Sequence, residues 1–438
     1  MAWSAGAGLY LAQYLARPSL WVDELAIVRN LRDRGLGDLV SAPLDFDQIA
    51  PVGFLLIQKV VVSAAGASKF VLRAFPFLMA LVALALVAAL GRALLPGWGS
   101  AVPVFLLGTS AQAIWLSSQV KQYSTDLAAT AALLLVAVTT ADSRDHAGRR
   151  RATLLLGIIA PWLSQPSVFS LVAAALALLL DDWRRVKRLS PGTWVTLGAW
   201  GISATLSLAS ARARVTPETM AFMREYWAKG FMPLPPRDWN DLEWPAHTLR
   251  LLVQDVVNGG WSYSYLAIAT VGGWIVWRRS RSTAVVLFVP VVAALGASAI
   301  GQYPLMDRLA FFLAPVVVVL LGAGIAGIAQ WMAVPRWARA AVVVVLISLP
   351  LGMLAYRPPP YSRQHTRQLV ETLAHEWRAG DRLYVTYGGW QAWTHYAPTA
   401  GLADADVIVG ACRGADVAAY DRDVDRLRGA RRAWILFV

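Results

Sequence analysis

Long apolar segments recur between residues 70 and 355, and they restrict the possible folds more than any other feature of the chain. Several of them reach the roughly 20 residues that an α-helix needs to cross a bilayer. Hydrophobic residues make up 57% of the chain and charged residues only 15%, a composition outside the range of soluble globular domains. The sequence therefore predicts an α-helical, polytopic integral membrane protein.

About eleven transmembrane helices are predicted, which puts the two ends of the chain on opposite sides of the membrane. The segments are 3–19, 70–91, 100–118, 124–141, 152–164, 166–180, 192–210, 255–277, 283–301, 308–331 and 338–356. Two of them, within 152–180, are short and interrupted by Pro161, Gln165 and Pro166. Such a stretch predicts a hairpin of short helices that protein or a cavity covers.

Basic side chains between the apolar segments predict the orientation. With this helix count the short basic loops share one side of the membrane, which is cytoplasmic by the positive-inside rule. The loops carry Arg144, Arg149, Arg150 and Arg151; Arg184, Arg185, Lys187 and Arg188; Arg278, Arg279 and Arg281; and Arg336 and Arg339. The external loops 20–69 and 211–254 and the segment 357–438 then lie outside. Topology explains the net charge of +13, which does not indicate nucleic-acid binding.

Residues 51–67 form the ambiguous apolar segment. Counting them as a span would scatter the basic loops over both sides, and Lys59 interrupts the segment near its middle. We therefore predict an amphipathic helix that lies in the outer interface.

The chain changes character after Tyr356, where three prolines stiffen the exit from the last helix. Short β-prone runs then alternate with helical stretches, at 383–387, 407–410 and 434–438. They predict a small extracytoplasmic α/β domain over 357–438, following a transmembrane catalytic module over 1–356. The last run reaches the final residue, so the completeness of this domain is left open.

Cysteine and histidine usage predicts neither a disulfide nor a metal site. Cys412 is the single cysteine, which excludes an intrachain disulfide. The five histidines are scattered without metal-ligand spacing. We predict no protein-encoded metal site and no cofactor, and leave open whether activity requires a metal ion.

Two adjacent carboxylates, Asp23 and Glu24, follow the first apolar segment. Acidic side chains beside lipid are expensive and tend to mark function. Asp23 is predicted to act as the general base or to orient the acceptor, while Glu24 points elsewhere or assists it. The alternative is that Asp23 caps a helix over 24–33.

The acidic pair belongs to an ordered set of motifs. In sequence order these are LWVDEL (20–25), DQIAPVGF (47–54), KFVLRAFP (69–76), SSQVKQYSTD (117–126) and MDRL (306–309). In this order and spacing the chain resembles the GT-C glycosyltransferases, specifically their protein mannosyltransferase-like and aminoarabinose transferase-like branch. The resemblance covers about residues 15–140 and continues more loosely to the last motif. The family often has a Lys or His before a Pro-Pro pair, where this chain has only Gln48-Ile49-Ala50-Pro51. Gln48 is predicted to lie at the rim of the substrate site and to contact the substrate.

The resemblance implies an inverting transfer of a sugar from a polyprenyl-phosphate carrier to an acceptor hydroxyl. It places the reaction on the extracytoplasmic face of a bacterial inner or plasma membrane and the family's first-loop acidic residue on Asp23. The partners it implies are the lipid-linked sugar donor, a glycan, lipid or protein acceptor, and the bilayer. It also implies that loop 211–254 covers the pyrophosphate or phosphate end of the carrier, and the alternative is a solvated loop without such a role.

Such a donor leaves a lipid phosphate anion, so the site requires fixed cations near the outer interface. Arg73, Lys121 and Arg308 lie at the outer ends of predicted spans and are the candidates. Their alternative role is snorkelling to the interface at helix ends. Tyr123 and Asp126 are predicted to support them, and Tyr123 is alternatively an interfacial anchor.

Two other functions compete with transfer. A transporter or flippase of lipid-linked glycans would often show paired repeats with interrupted helices, and this chain has one broken hairpin without a duplicate. An assembly factor would leave the clustered acidic and basic residues without a purpose. The leading prediction is therefore a membrane glycosyltransferase.

Overall fold

The structure is a computed structural model that describes residues 1–139, 146–332, 334–402, 405–411 and 416–437. Arg144 and Cys412 lie outside these ranges, and the side chains of Arg149 and Arg185 are outside the description as well.

Helices make up most of the first 356 residues. They are α1 (Ala2–Leu15), α2 (Val22–Asp33), α3 (Leu36–Ser41), α4 (Val52–Ala65), α5 (Lys69–Leu94), α6 (Val102–Thr109), α7 (Ala111–Leu116), α8 (Tyr123–Thr139), α9 (His146–Leu163), α10 (Ser167–Val186), α11 (Pro191–Ala213), α12 (Pro217–Tyr226), α13 (Trp239–Val256), α14 (Ser262–Arg279), α15 (Arg281–Ala299), α16 (Ala314–Trp331) and α17 (Arg336–Tyr356). Short 3-10 turns include Gly97–Ala101 before α6, and Asp307–Leu309 and Phe311–Leu313 before α16.

Each predicted apolar segment contains at least part of a helix. Among the described residues, four helical stretches are long and apolar enough to cross a membrane: Lys69–Leu94, Arg281–Ala299, Phe311–Trp331 and Arg336–Tyr356. The count of eleven spans stays a prediction.

Three segments differ from the prediction. Segment 100–118 is broken at Ser110, whose hydroxyl caps α7 by accepting a hydrogen bond from the Ala113 amide at 3.2 Å. The helix predicted over 255–277 begins only at Ser262, after a turn in which Asn258 and Trp261 have φ of 62° and 65°. The hairpin within 152–180 is longer than predicted, because α9 has 18 residues and α10 has 20. Its polar flanks continue the helices beyond the apolar stretches.

The ambiguous segment forms α4, close to the predicted bounds. One face of α4 is buried, including Phe54, Leu55 and Val62. The Lys59 amine donates to the Leu31 carbonyl oxygen at 2.7 Å, in the last turn of α2. A lysine at that position compensates the negative end of a helix. The interfacial location of α4 stays a prediction.

The C-terminal region contains the three strands expected from the sequence. They form a parallel sheet of order β2-β1-β3. The elements are α18 (Thr366–Glu376), β1 (Asp381–Val385), α19 (Trp390–Tyr396), β2 (Val407–Val409), α20 (Val417–Asp425) and β3 (Arg432–Leu436). Leu383 pairs with Val407 on one side and with Trp434 on the other. That residues 357–438 form a separate domain on the extracytoplasmic side stays a prediction.

This C-terminal region shares a hydrophobic core with the segment that follows α1. Leu20 and Leu25 pack in the same buried cluster as Val370, Leu383 and Trp393. This segment is also fixed through its backbone. The Leu20 amide donates to the Tyr396 hydroxyl at 2.9 Å, and the Thr366 hydroxyl donates to the Leu20 carbonyl at 3.0 Å. The segment that carries the acidic pair is therefore held on two sides.

Candidate active site

The acidic pair lies in the first turn of α2. Trp21 is the N-cap residue, and its amide donates to the Glu24 carboxylate at 3.3 Å. Helix α2 thus begins one residue before Asp23, and the alternative that Asp23 caps a helix over 24–33 is wrong. Successive residues on a helix point about 100° apart, so the two carboxylates face different surroundings.

Glu24 is fully buried and forms a salt bridge with Arg73 of α5, which is 1% exposed. The guanidinium Nη2 lies 2.9 Å from Oε2 and 3.1 Å from Oε1 of Glu24. The Val120 amide donates to the same carboxylate at 2.9 Å. Arg73 also donates to the carbonyl oxygens of Pro18 at 2.9 Å and Ser19 at 3.4 Å. This arrangement ties the loop before α2, helix α5 and the 117–122 loop together, and it differs from the expected phosphate contact.

Asp23 faces the other way, with 25% of its side chain exposed. Its Oδ2 accepts a hydrogen bond from Nη2 of Arg308 at 2.7 Å. Nε of Arg308 donates to the Tyr123 hydroxyl at 2.7 Å. Three residues that are distant in sequence are therefore joined in one network, with the carboxylate at its accessible end.

Aromatic rings surround the Arg308 guanidinium. Its central carbon lies 4.9 Å from the Trp21 ring centroid and 5.1 Å from that of Trp227. The side chain of Arg308 is only 5% exposed. Cation–π contacts of this kind stabilise a buried guanidinium and fix its plane. Trp227 follows α12 within segment 211–254, so that segment reaches the site.

Lys121 lies beside this network, in the loop between α7 and α8. Its amine donates to the side-chain oxygen of Gln48. Burial lowers the pKa of Lys121 to about 8, while the Asp23 carboxylate acts to raise that pKa and Arg308 acts to lower it. Lys121 and Gln48, predicted from sequence, are thus partners within electrostatic range of Asp23.

The structure adds Arg363 and Asp307 to the site. Arg363 lies between α17 and α18 and is 43% exposed, and its Nη2 lies 3.3 Å from the Asp307 carboxylate. The guanidinium stacks 4.5 Å from the Trp115 ring centroid and 5.2 Å from that of Trp21. Asp307 has φ of 47°, an uncommon backbone conformation for this residue type that functional sites often contain. The MDRL motif contains Asp307, but only Arg308 was predicted from it, and no sequence pattern pointed to Arg363.

Asp126 lies one helical turn beyond Tyr123 and is 6% exposed. The hydroxyls of Thr125 and Thr130 on the same helix are buried without hydrogen-bond partners among the described residues. Asp126 therefore belongs to a polar layer that continues from the site into the helix bundle. Its contact with a substrate stays a prediction.

Within the described ranges, no group of three or more His, Cys, Asp or Glu side chains could hold a metal ion.

Comparison with solved structures identifies the fold. ArnT from Cupriavidus metallidurans bound to undecaprenyl phosphate matches with a TM-score of 0.54 at 13% identity, over 97% of this chain and 88% of that one. Its apo state matches with a TM-score of 0.51 at 14% identity, over 98% and 88% of the two chains. An oligosaccharyltransferase from Archaeoglobus fulgidus in complex with Zn and sulfate matches with a TM-score of 0.52 at 11% identity. That match covers 94% of this chain and 62% of the oligosaccharyltransferase.

No protein-family model and no curated protein matches the chain by sequence. The structural matches establish a GT-C fold. Together with the apolar helices they identify the chain as an integral membrane protein.

Proposed function

We propose that this GT-C-fold protein is an inverting glycosyltransferase that moves a sugar from a polyprenyl-phosphate carrier to an acceptor hydroxyl. The main observation behind this proposal is the partly exposed Asp23 carboxylate, whose Oδ2 lies 2.7 Å from Nη2 of Arg308. The fold supports the proposal, because the similar ArnT structure contains undecaprenyl phosphate. The sugar and the acceptor class (glycan, lipid or protein) are left open.

The proposed reaction is a single displacement. The acceptor oxygen forms a bond to the anomeric carbon of the sugar, and the bond from that carbon to the phosphate oxygen breaks. Polyprenyl phosphate leaves with the bonding electrons, and the acceptor proton passes to Asp23. Attack opposite the leaving group inverts the anomeric configuration.

The residues around Asp23 divide these tasks by what they contact. Arg308 donates hydrogen bonds to Asp23 and Tyr123, so we assign it to orienting the base. Lys121 and the exposed Arg363 are the cations that we assign to binding the phosphate of the carrier. Glu24 and Arg73 bind each other and are assigned to holding the site together.

A transfer assay tests this function. Purified protein in nanodiscs is given a radiolabelled sugar on polyprenyl phosphate and a mixture of acceptors, and release of free polyprenyl phosphate is measured. We expect release that depends on both acceptor and protein, with a product of inverted configuration. A flippase would instead carry the intact carrier across proteoliposomes without breaking the sugar–phosphate bond, and that result would overturn the proposal.

Lys121 gives the proposed reaction a pH dependence. A phosphate binds the charged ammonium, and the pKa of Lys121 is lowered to about 8. We expect kcat/KM for the donor to fall above about pH 8, by up to about tenfold per pH unit, as the free enzyme loses that proton. Lys121→Arg should abolish this fall, because arginine stays protonated. An unchanged profile in Lys121→Arg would assign the pH dependence to another group.

Arg363→Gln tests the second cation. Losing a charged hydrogen bond to phosphate costs about 1.5–3 kcal/mol, so KM for the donor should rise by about 10- to 100-fold while kcat changes little. Arg367→Gln is the matched control, since Arg367 lies in the first turn of α18 and pairs with Glu371. A normal KM in Arg363→Gln would remove this residue from the donor site.

The proposal places the site on the extracytoplasmic face. In a Cys412→Ser background, Ala67→Cys should react with a membrane-impermeant maleimide added outside intact cells. Ala93→Cys, near the other end of α5, should react only after the membrane is opened. The reverse labelling pattern would put Asp23 on the cytoplasmic face and contradict the predicted orientation.

A further inference from the structure

A cavity lies at the end of the helix bundle that is opposite to Asp23. It has a volume of about 520 Å³ and is lined by the ends of α5 and α16 and the junction of α14 with α15. Its polar lining consists of Arg92, Arg279, Ser280, Thr283 and Gln330.

The distance along α5 places this cavity at the other membrane interface. Arg73, behind the acidic pair, and Arg92 lie near opposite ends of this helix. At 1.5 Å per residue they are about 28 Å apart along the axis. That spacing matches the hydrocarbon thickness of a bilayer, roughly 30 Å. The cavity and the proposed active site therefore lie near opposite surfaces of the membrane.

The charge in the cavity is not compensated by the protein. None of the residues that line it is acidic, and the sequence has no Asp or Glu in 70–125, 256–306 or 308–370. Within the described part of the chain, neither Arg92 nor Arg279 forms an ion pair. Two guanidinium groups beside one cavity without a counter-ion favour an anionic ligand.

The remaining walls of the cavity are apolar, with Leu95, Ile275, Val276 and Ala326 among them. Trp98 and Trp331, close in sequence to lining residues, are 49% and 62% exposed. Exposed Trp residues are typical of the membrane interface. The surroundings thus suit a ligand with a charged phosphate and an apolar continuation, more than a free inorganic ion.

We propose that this cavity binds the phosphate of an anionic phospholipid from the leaflet opposite the active site. Arg92 and Arg279 contact the phosphate oxygens, and the Thr283 hydroxyl and Gln330 amide bind the polar part of the headgroup. Basic pockets between membrane helices recognise lipid headgroups in this way. The inference does not depend on the transfer reaction proposed above.

Lipid binding by the wild-type protein tests this site directly. Delipidated protein in neutral detergent is titrated with phosphatidylglycerol, with phosphatidylcholine or with inorganic phosphate, and thermal stability and native mass spectra are recorded. We expect phosphatidylglycerol to raise the Tm and to remain bound in the mass spectrum, with an apparent affinity at least about tenfold above that of phosphatidylcholine. An equal effect of inorganic phosphate, or no preference between the two lipids, overturns the proposal.

Variants locate the binding. Arg92→Gln/Arg279→Gln should lose the preference for phosphatidylglycerol, while Arg278→Gln should keep it, because Arg278 lies outside the cavity and over the Trp274 ring. Equal losses in both proteins would mean that surface charge attracts the lipid without a site.

Thr283→Leu leaves both arginines in place and narrows the cavity. This variant should weaken lipid binding even if the double variant does not fold. Normal lipid binding by Thr283→Leu would overturn the location of the site.

Discussion

Asp23→Asn is expected to lower the rate of sugar transfer by about 10²- to 10⁴-fold, the usual contribution of a positioned general base. The amide keeps the size of the carboxylate, and its oxygen can still accept the bond that Arg308 donates at 2.7 Å. It cannot take the proton of the acceptor hydroxyl. The measurement is the initial rate of polyprenyl phosphate release at saturating donor and acceptor, with folded protein verified by thermal unfolding.

Asp33→Asn is the matched control, because Asp33 lies at the other end of the same helix. Its side chain is 57% exposed and pairs with Arg29 at 3.3 Å, and surface pairs of this kind contribute about 0–1 kcal/mol. The rate should stay within about twofold of the wild type. A near-normal rate in Asp23→Asn, or equal losses in the two variants, would remove Asp23 from the reaction.

Much of the architecture could be predicted from the sequence, because a helix in a bilayer requires a long apolar stretch and a buried strand requires a short β-prone run. Uninterrupted apolar stretches marked α5 and α16, and β-branched runs marked the strands at Leu383 and Val407. The break at Ser110 was missed, because serine is tolerated inside an apolar helix and its capping role depends on the local backbone.

The site was predicted in part, and the limits have physical causes. The sequence predicted Asp23, Lys121 and Arg308, and the structure brings these residues together. The resemblance to the GT-C family favoured Asp23 over Glu24 as the base, whereas the different directions of the two side chains follow from where α2 begins, which no local pattern fixes. Arg363 was missed because its position depends on how the chain packs after α17, a long-range contact without a local pattern.

Loss of the Glu24 carboxylate is expected to have the largest effect on stability. Glu24 is fully buried, and its partner Arg73 is 1% exposed. Removing one member of such a pair leaves an uncompensated charge and costs about 3–5 kcal/mol. Glu24→Leu should therefore lower the free energy of unfolding by about that amount, measured by denaturant titration in detergent. Asp45→Ala breaks the surface pair with Arg34 and should cost at most about 1 kcal/mol.

A double variant separates the pair energy from other effects. Glu24→Leu/Arg73→Met removes both buried charges, and such replacements are often neutral or better than the original pair. The double variant should thus recover much of the stability that Glu24→Leu loses. If its loss of stability equals the sum of the losses in Glu24→Leu and Arg73→Met, the pairing is contradicted.

The rate of sugar transfer per folded molecule shows whether Glu24 takes part in the reaction. Because Glu24 is fully buried and its carboxylate is held by Arg73 and the Val120 amide, its Gln variant should transfer sugar at a rate within a few-fold of the wild type, whereas a loss as large as that of Asp23→Asn would make Glu24 a second reacting carboxylate.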